Sequence, residues 1–200
     1  MTIFYKLADA LYVNITNRCR CGCVFCIRKN GDGVGDAASL WLPREPTVQE
    51  VCSKFEEQDL CGIREIVFCG YGEPLERADD VVEICAFIKS RSEIPVRLNT
   101  NGLVSLFNPE FDITRLAIFD AVSISLNSDN AADYQRATCT PYEAGRAFAA
   151  VLAFAEQCRG FARTQFSVVA FPGCEAFWNE ERCREIAARL EIPLRIRAYG

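Results

Sequence analysis

The chain has 200 residues, half of them hydrophobic, with 22 Lys and Arg against 27 Asp and Glu and a formal net charge of −5. Its length suits one sizeable core, so a single domain over residues 1–200 is expected, and its acidic balance leaves no global positive field to gather nucleic acid or an anionic membrane. Histidine is absent, which excludes Ser–His, Cys–His and H-E-x-x-H mechanisms and every Cys/His zinc site.

At the start of the chain, Lys6, Asp9, Asn14 and Arg18 interrupt any apolar run long enough for a signal peptide or a membrane span, so a cytoplasmic protein is expected. A first strand is predicted over residues 11–16. A Thr47 to Glu50 capping box then opens a helix in which Val48, Val51, Cys52 and Phe55 fall at i, i+3, i+4 and i+7. A strand over 65–69 is followed by a helix carrying Val81, Ile84, Cys85 and Ile88. A strand over 96–100 precedes a short helix near 109–116. Beyond a strand over 121–127, the helical pattern returns at Phe148, Val151, Leu152 and Ala155. The last unit comprises a strand over 165–171, a helix with Cys183, Ile186, Ala187 and Leu190, and a strand over 194–199.

Six strands alternating with helices imply a parallel sheet with helical crossovers. Six units are too few for a closed eight-stranded barrel, which leaves an open doubly wound sheet or a partial barrel. A parallel strand covered on both faces reads as a continuous apolar run. Here Val122, Ile124 and Leu126 oppose Ser123, Ser125 and Asn127, and Leu11, Val13 and Ile15 oppose Tyr12, Asn14 and Thr16. Val96 and Leu98 oppose Arg97 and Asn99, and Leu194 and Ile196 oppose Arg195 and Arg197. One face therefore packs on helices and the other carries hydrogen-bonding groups, either lining a cavity for a polar ligand or facing water. If that face is enclosed, its arginines need anions, because an unpaired buried charge costs several kcal/mol.

Twelve cysteines without a secretion signal favour metal or cluster ligation over a disulfide framework. Four of them, Cys19, Cys21, Cys23 and Cys26, follow the first strand at its C-terminal end, where parallel α/β folds bind ligands. A structural zinc site usually joins two separated cysteine pairs, and no second C-x-x-C occurs. A ferredoxin-type carrier needs a fourth thiolate in a run that is also missing. Leaving out Cys21 gives Cys19-x-x-x-Cys23-x-x-Cys26, three thiolates for a four-iron cluster with one iron open to a substrate or cofactor.

With Phe25 as the aromatic, this C-x-x-x-C-x-aromatic-C loop resembles that of the radical S-adenosylmethionine (SAM) enzymes. Gly70-Tyr71-Gly72-Glu73-Pro74 after the second predicted strand resembles their glycine–glutamate segment, with Tyr71 in place of one glycine. The stretches ITNRC, LWLPREPT, FCGYGEPL, RLNTNGL and RIRAY together are similar to the small TatD-associated radical SAM group. The resemblance implies an α/β fold, a partial (β/α)6 TIM-like barrel with strands inside and helices outside, forming one radical SAM core domain. It implies that Cys19, Cys23 and Cys26 hold a [4Fe–4S] cluster whose open iron chelates S-adenosyl-L-methionine. Reductive cleavage would then give methionine and a 5′-deoxyadenosyl radical that abstracts hydrogen from a substrate. Phe25, Gly70, Tyr71, Gly72 and Glu73 fall at cofactor-binding positions. Asn99, in Asn99-Thr100-Asn101-Gly102, and Ser123, Ser125 and Asn127 fall where ribose and carboxylate are met. Arg197 is counted with these residues, since the cofactor's carboxylate or an anionic substrate would meet Arg97, Arg195 or Arg197, unless one pairs with Glu73 or Glu65. No catalytic side chain is assigned beyond these ligands. An electron donor such as flavodoxin or ferredoxin and a small-molecule or peptide substrate are the implied partners. A structural or sensing module holding zinc or a cluster without turnover is the competing reading; it would not require the GYGEP turn.

Residues 31–36, GDGVGD, form neither a dinucleotide nor a Walker loop and are expected to be a flexible connection over the cluster, with Trp41 and Leu42 anchoring it or packing on the rim. Cys52, Cys85, Cys158 and Cys183 read as small helix-borne core residues. Cys69 lies on the inward phase of its strand, and Cys139 and Cys174 are too few to hold a cluster alone.

Overall fold

The computed structural model describes residues 1–199 except 30 and 32. Seven strands form one sheet in the order of the chain. β1 (Phe4–Leu7) and β2 (Ala10–Val13) make an antiparallel hairpin. β3 (Glu65–Phe68), β4 (Val96–Thr100), β5 (Ala121–Ser125), β6 (Arg163–Ala170) and β7 (Leu194–Ala198) then add one after another in parallel. Because parallel crossovers share one hand, an order that never reverses puts every crossover helix on the same side of the sheet. The sheet curls away from them into a half-barrel, which settles the choice against the doubly wound alternative.

The outward phase of the strands supplies the core. Leu11, Ile66, Phe68, Val96, Leu98, Val122, Ile124 and Phe166 are wholly buried, with Phe68 edge-on to Phe119 at 5.3 Å. α1 (Val48–Glu56) begins at the capping box read from the sequence. Glu50 N–H donates to Thr47 Oγ1 at 3.2 Å and Thr47 N–H to Glu50 Oε2 at 2.8 Å, satisfying two donors that the helix leaves open. α2 (Ala78–Arg91) buries Val81, Ile84, Cys85 and Ile88. α5 (Ala144–Arg159) and α6 (Glu180–Arg189) bury the thiols of Cys158 and Cys183 among their apolar residues, whereas Cys52 on α1 is only half-buried.

Three elements differ from the sequence expectation. β1 was not expected. Its turn to β2 is made by Ala8 at φ 53°, without a glycine or asparagine to signal it. Near 109–116, four-residue α3 (Val104–Phe107) and a 3-10 turn over Ile113–Ile118 replace the short helix, divided by Pro109 and by Asp112, whose carboxylate caps Thr114 N–H at 3.0 Å. Between β5 and α5 lies an additional helix, α4 (Ala131–Thr138), whose buried side is only Tyr134, Ala137 and Thr138.

The loop expected to connect flexibly is anchored on β1 where it is described. Asp36 Oδ1 accepts Lys6 N–H at 2.7 Å, and Asp36 N–H donates to Lys6 O at 3.1 Å. Asp32 lies outside the described residues. Leu42 is buried at the rim, while Trp41 is exposed and edge-on to Tyr71 at 5.0 Å. No helix among the described residues is long and apolar enough to cross a membrane.

Candidate cofactor site at the open ends of the strands

The inward phase divides into a closed floor and an open upper layer. On the floor, Glu65 of β3 clamps Arg97 of β4 at two points, 3.0 and 2.7 Å, and Arg97 also donates to Asn99. Gln165 Nε2 donates to Ser123 Oγ at 3.1 Å. Of the three arginines on this phase, Arg97 is thus neutralised by Glu65, Arg195 is exposed, and Arg197 is half-buried. Above the floor is a cavity of about 210 Å³ lined by the strand ends and the cysteine loop.

β2 ends at Val13, and the chain runs on extended through Asn14 and Thr16 into that loop. Gly22 N–H donates to Thr138 O and Val24 N–H to Ala137 O, both at 2.9 Å, so the loop satisfies the last carbonyls that α4 leaves open. Cys139 closes the helix in the left-handed region, at φ 47°. Cys19, Cys23 and Cys26 all line the cavity, facing the carboxyl ends of the strands. Phe25, 9% exposed, stacks on Phe171 at 5.1 Å and forms an aromatic side wall.

Cys21 is 5% exposed and lies between its neighbours. Its hydrogen bonds to Cys19 and Cys23, together with burial, hold its thiol protonated. The Cys19 thiol is lowered to about 6, first by the hydrogen bond from Cys21, then by the Cys21 backbone N–H and the Arg28 charge, against the cost of burial. Arg28 Nε donates to Cys26 Sγ at 3.2 Å. The loop therefore favours thiolate at one predicted ligand and sets a cation beside another.

Opposite the loop, the turn after β3 approaches so closely that glycine is required. A Cβ on Gly72 would lie 2.3 Å from Thr16 O and 2.6 Å from Arg18 O, and one on Gly70 would meet the Asn14 side chain. Tyr71, in the position of a family glycine, turns its ring into a separate cluster with Tyr5 and Leu40 and donates its hydroxyl to Gly31 O at 2.7 Å. Glu73 is 4% exposed. It caps the turn over Pro74–Arg77 through Leu75 N–H at 3.0 Å and accepts Thr100 Oγ1 and Asn101 N–H, both at 2.7 Å. Burial, with the nearby Cys19, raises its carboxyl to about 8 in spite of those three donors.

Asn99, Ser123, Ser125, Asn127 and Arg197 also line the cavity. Asn127 stands at φ 57°, 5% exposed, and its Oδ1 has no hydrogen-bond partner among the described residues. All thirteen residues singled out in the sequence thus share one cavity. Sequence reading missed Arg28, whose role depends on the fold of its own loop, and Ser167, in a strand for which no inward phase was read. It also missed the grip of Thr100 and Asn101 on Glu73, although Asn99-Thr100-Asn101-Gly102 had marked the segment.

Among the described residues, no three His, Cys, Asp or Glu side chains converge to hold one metal ion. A four-iron cluster asks for a different donor set, with each thiolate on its own iron. Three thiols around one cavity, one favoured as thiolate and one beside an arginine, fit that group in number and chemistry.

Fold and site together define an α/β half-barrel with a cysteine-rich loop over its strand ends. The chain belongs to the Radical SAM superfamily, whose family model matches residues 13–173. It is 33% identical over 141 residues to a GTP 3′,8-cyclase of Lactiplantibacillus plantarum, covering 66% of this chain and 38% of that protein. It is 30% identical over 179 residues to a GTP 3′,8-cyclase of Pseudomonas putida, covering 85% and 47%. The chain thus spans less than half the length of these relatives. Among solved structures it resembles TYW1 with a lysine–pyruvate adduct bound, with a TM-score of 0.67 at 13% identity, covering 98% of this chain and 66% of that one. A radical SAM methyltransferase from Sphaerobacter thermophilus gives a TM-score of 0.58 at 18% identity, covering 98% and 68%. At such identities the likeness shows the fold.

Proposed function

We propose that this chain is the core of a radical SAM enzyme in which Cys19, Cys23 and Cys26 hold a [4Fe–4S] cluster and the cavity beside them receives S-adenosyl-L-methionine. The reading rests on one observation above all, that three thiols and the buried carboxylate of Glu73 line the same cavity. When bound, the two cofactors supply reductive carbon–sulfur cleavage to methionine and a 5′-deoxyadenosyl radical, which takes hydrogen from a substrate.

The chain's own residues bind and orient. Cys21 donates its S–H to Cys19, and Arg28 offsets the thiolate charge at Cys26. Glu73, oriented by Leu75, Thr100 and Asn101, receives the cofactor's amino group, and the arriving cation favours the anion that burial disfavours. Gly70, Tyr71 and Gly72 bring backbone groups alongside. Phe25 on Phe171 gives the flat apolar wall an adenine ring needs, and Asn99, Ser123, Ser125 and Asn127 offer polar groups to ribose and carboxylate.

An electron donor such as flavodoxin or ferredoxin completes the system. The substrate is a small molecule or a peptide; the curated relatives are named for GTP, one candidate of the first kind. The narrower likeness to the TatD-associated group belongs to the same proposal. Anaerobically reconstituted protein, incubated with dithionite and SAM, is expected to release 5′-deoxyadenosine. A cluster-loaded protein that releases none, with or without GTP, overturns the reading.

A further inference from the structure

The upper layer of the cavity contains a cation that the chain does not neutralise. Arg97 spends both edges of its guanidinium on Glu65 and Asn99, and Arg195 is exposed. Arg197 stands beside Val169 in the β6–β7 register and lines the cavity. Its guanidinium takes part in none of the ion pairs found among the described residues. Its Nε is buried without a hydrogen-bond partner. An unpaired buried donor is costly, and native chains rarely keep one that nothing satisfies.

Two anions could satisfy it, the carboxylate of the cofactor or an oxyanion of the substrate. Their places in the cavity differ. Under the proposed function the cofactor's amino acid end belongs with the cysteine loop and Glu73, where Arg28, 3.2 Å from Cys26 Sγ, is the cation at hand. Arg197 belongs to the last strand, at the opposite end of the parallel series from β2, which leads into the cysteine loop. Phe171 and Tyr199, in ring contact at 6.2 Å, carry the aromatic wall that Phe25 begins as far as the end of the strand that bears Arg197.

We propose that Arg197 is a specificity-determining residue that receives a carboxylate or phosphate of the substrate rather than the carboxylate of the cofactor. Guanidinium meets either oxyanion at two points, and the buried Nε supplies one of them. The inference rests on the reading of the cavity as a SAM site.

The test is an anaerobic titration of reconstituted, SAM-loaded protein with pyrophosphate and with malonate, for the wild type, Arg197→Met, Arg197→Lys and Arg195→Met. The wild type is expected to bind at least one probe saturably, the tighter probe identifying phosphate or carboxylate as the source. Arg197→Met should weaken that probe at least tenfold, Arg197→Lys should recover part of the loss, and Arg195→Met should change it less than twofold, with SAM affinity kept within twofold throughout. A tenfold loss of SAM affinity in Arg197→Met would assign the arginine to the cofactor and overturn the inference. Absence of saturable binding of either probe to the wild type, or unchanged binding in Arg197→Met, overturns it as well. Failure of the underlying reading is distinct, since the wild type would then take up no SAM.

Discussion

The carbonyl oxygen of Thr16 lies 2.3 Å from where a Cβ on Gly72 would stand. The extended segment leading into the cysteine loop and the turn carrying Glu73 are therefore in backbone contact, reinforced by Glu73 N–H donating to Arg18 O at 2.8 Å. Gly72→Ala forces these segments apart at a cost of about 1–3 kcal/mol. We expect a lower thermal midpoint and a larger proportional loss of SAM affinity, because Glu73 and the cysteine loop move relative to each other. A variant with wild-type midpoint and SAM affinity contradicts this packing.

Cys21 tests how the loop works. Cys19→Ala, Cys23→Ala and Cys26→Ala should each reduce reconstituted iron to near background, while Cys21→Ser retains most of it. Iron and sulfide analysis of the four variants decides the matter, and loss of the cluster from the Cys21 variant alone would refute the assignment.

Glu73 gives a dependence on pH. Its carboxyl is raised to about 8 in the folded chain, first by burial, so its contribution to stability is fully present below the ordinary Glu value and is lost as pH rises through about 8. Cys19, held low, acts in the opposite sense, its contribution being lost as pH falls through about 6. Most of that contribution is common to wild type and variant, so the difference curve reports Glu73 together with its repulsion by Cys19. The midpoint of apo Glu73→Gln relative to wild type should rise by at least roughly 5 °C between pH 5 and pH 9, as each kcal/mol moves a chain of this size by about 2–4 °C. A flat difference would mean that burial does not control this carboxyl.

How much of this was legible follows from the range of each signal. The inward phase was readable because Ser123 and Ser125 alternate with Val122 and Ile124 within one strand. The cysteine spacing and the glycine–glutamate turn were likewise local. Glu65 was readable as a candidate partner for one of the three arginines, but which arginine it holds was not legible, because Glu65 reaches Arg97 only through the register that sets Val67 opposite Arg97. β1 escaped because Ala8 makes its turn, and with it went the docking of Asp36, which needs β1 as its platform. α4 escaped because two of its three buried residues are small. Spacing alone could set Cys21 aside as a ligand, but only the folded loop shows it donating to Cys19.

The floor pair offers a test of stability. Arg97→Met leaves Glu65 without its partner and should cost about 1–3 kcal/mol, between the values for exposed and fully buried pairs. Adding Glu65→Gln should recover part of that loss in urea unfolding of the apo protein. Strictly additive losses would show that the two side chains are not coupled.

The central claim is that Cys19, Cys23 and Cys26 present a cluster with one iron open to SAM, and electron paramagnetic resonance of the reduced protein tests it most directly. The account predicts a reduced [4Fe–4S] signal in the wild type whose g values shift when SAM is added, with the shift much reduced in Glu73→Gln. A cluster signal that SAM leaves unchanged in the wild type would contradict it.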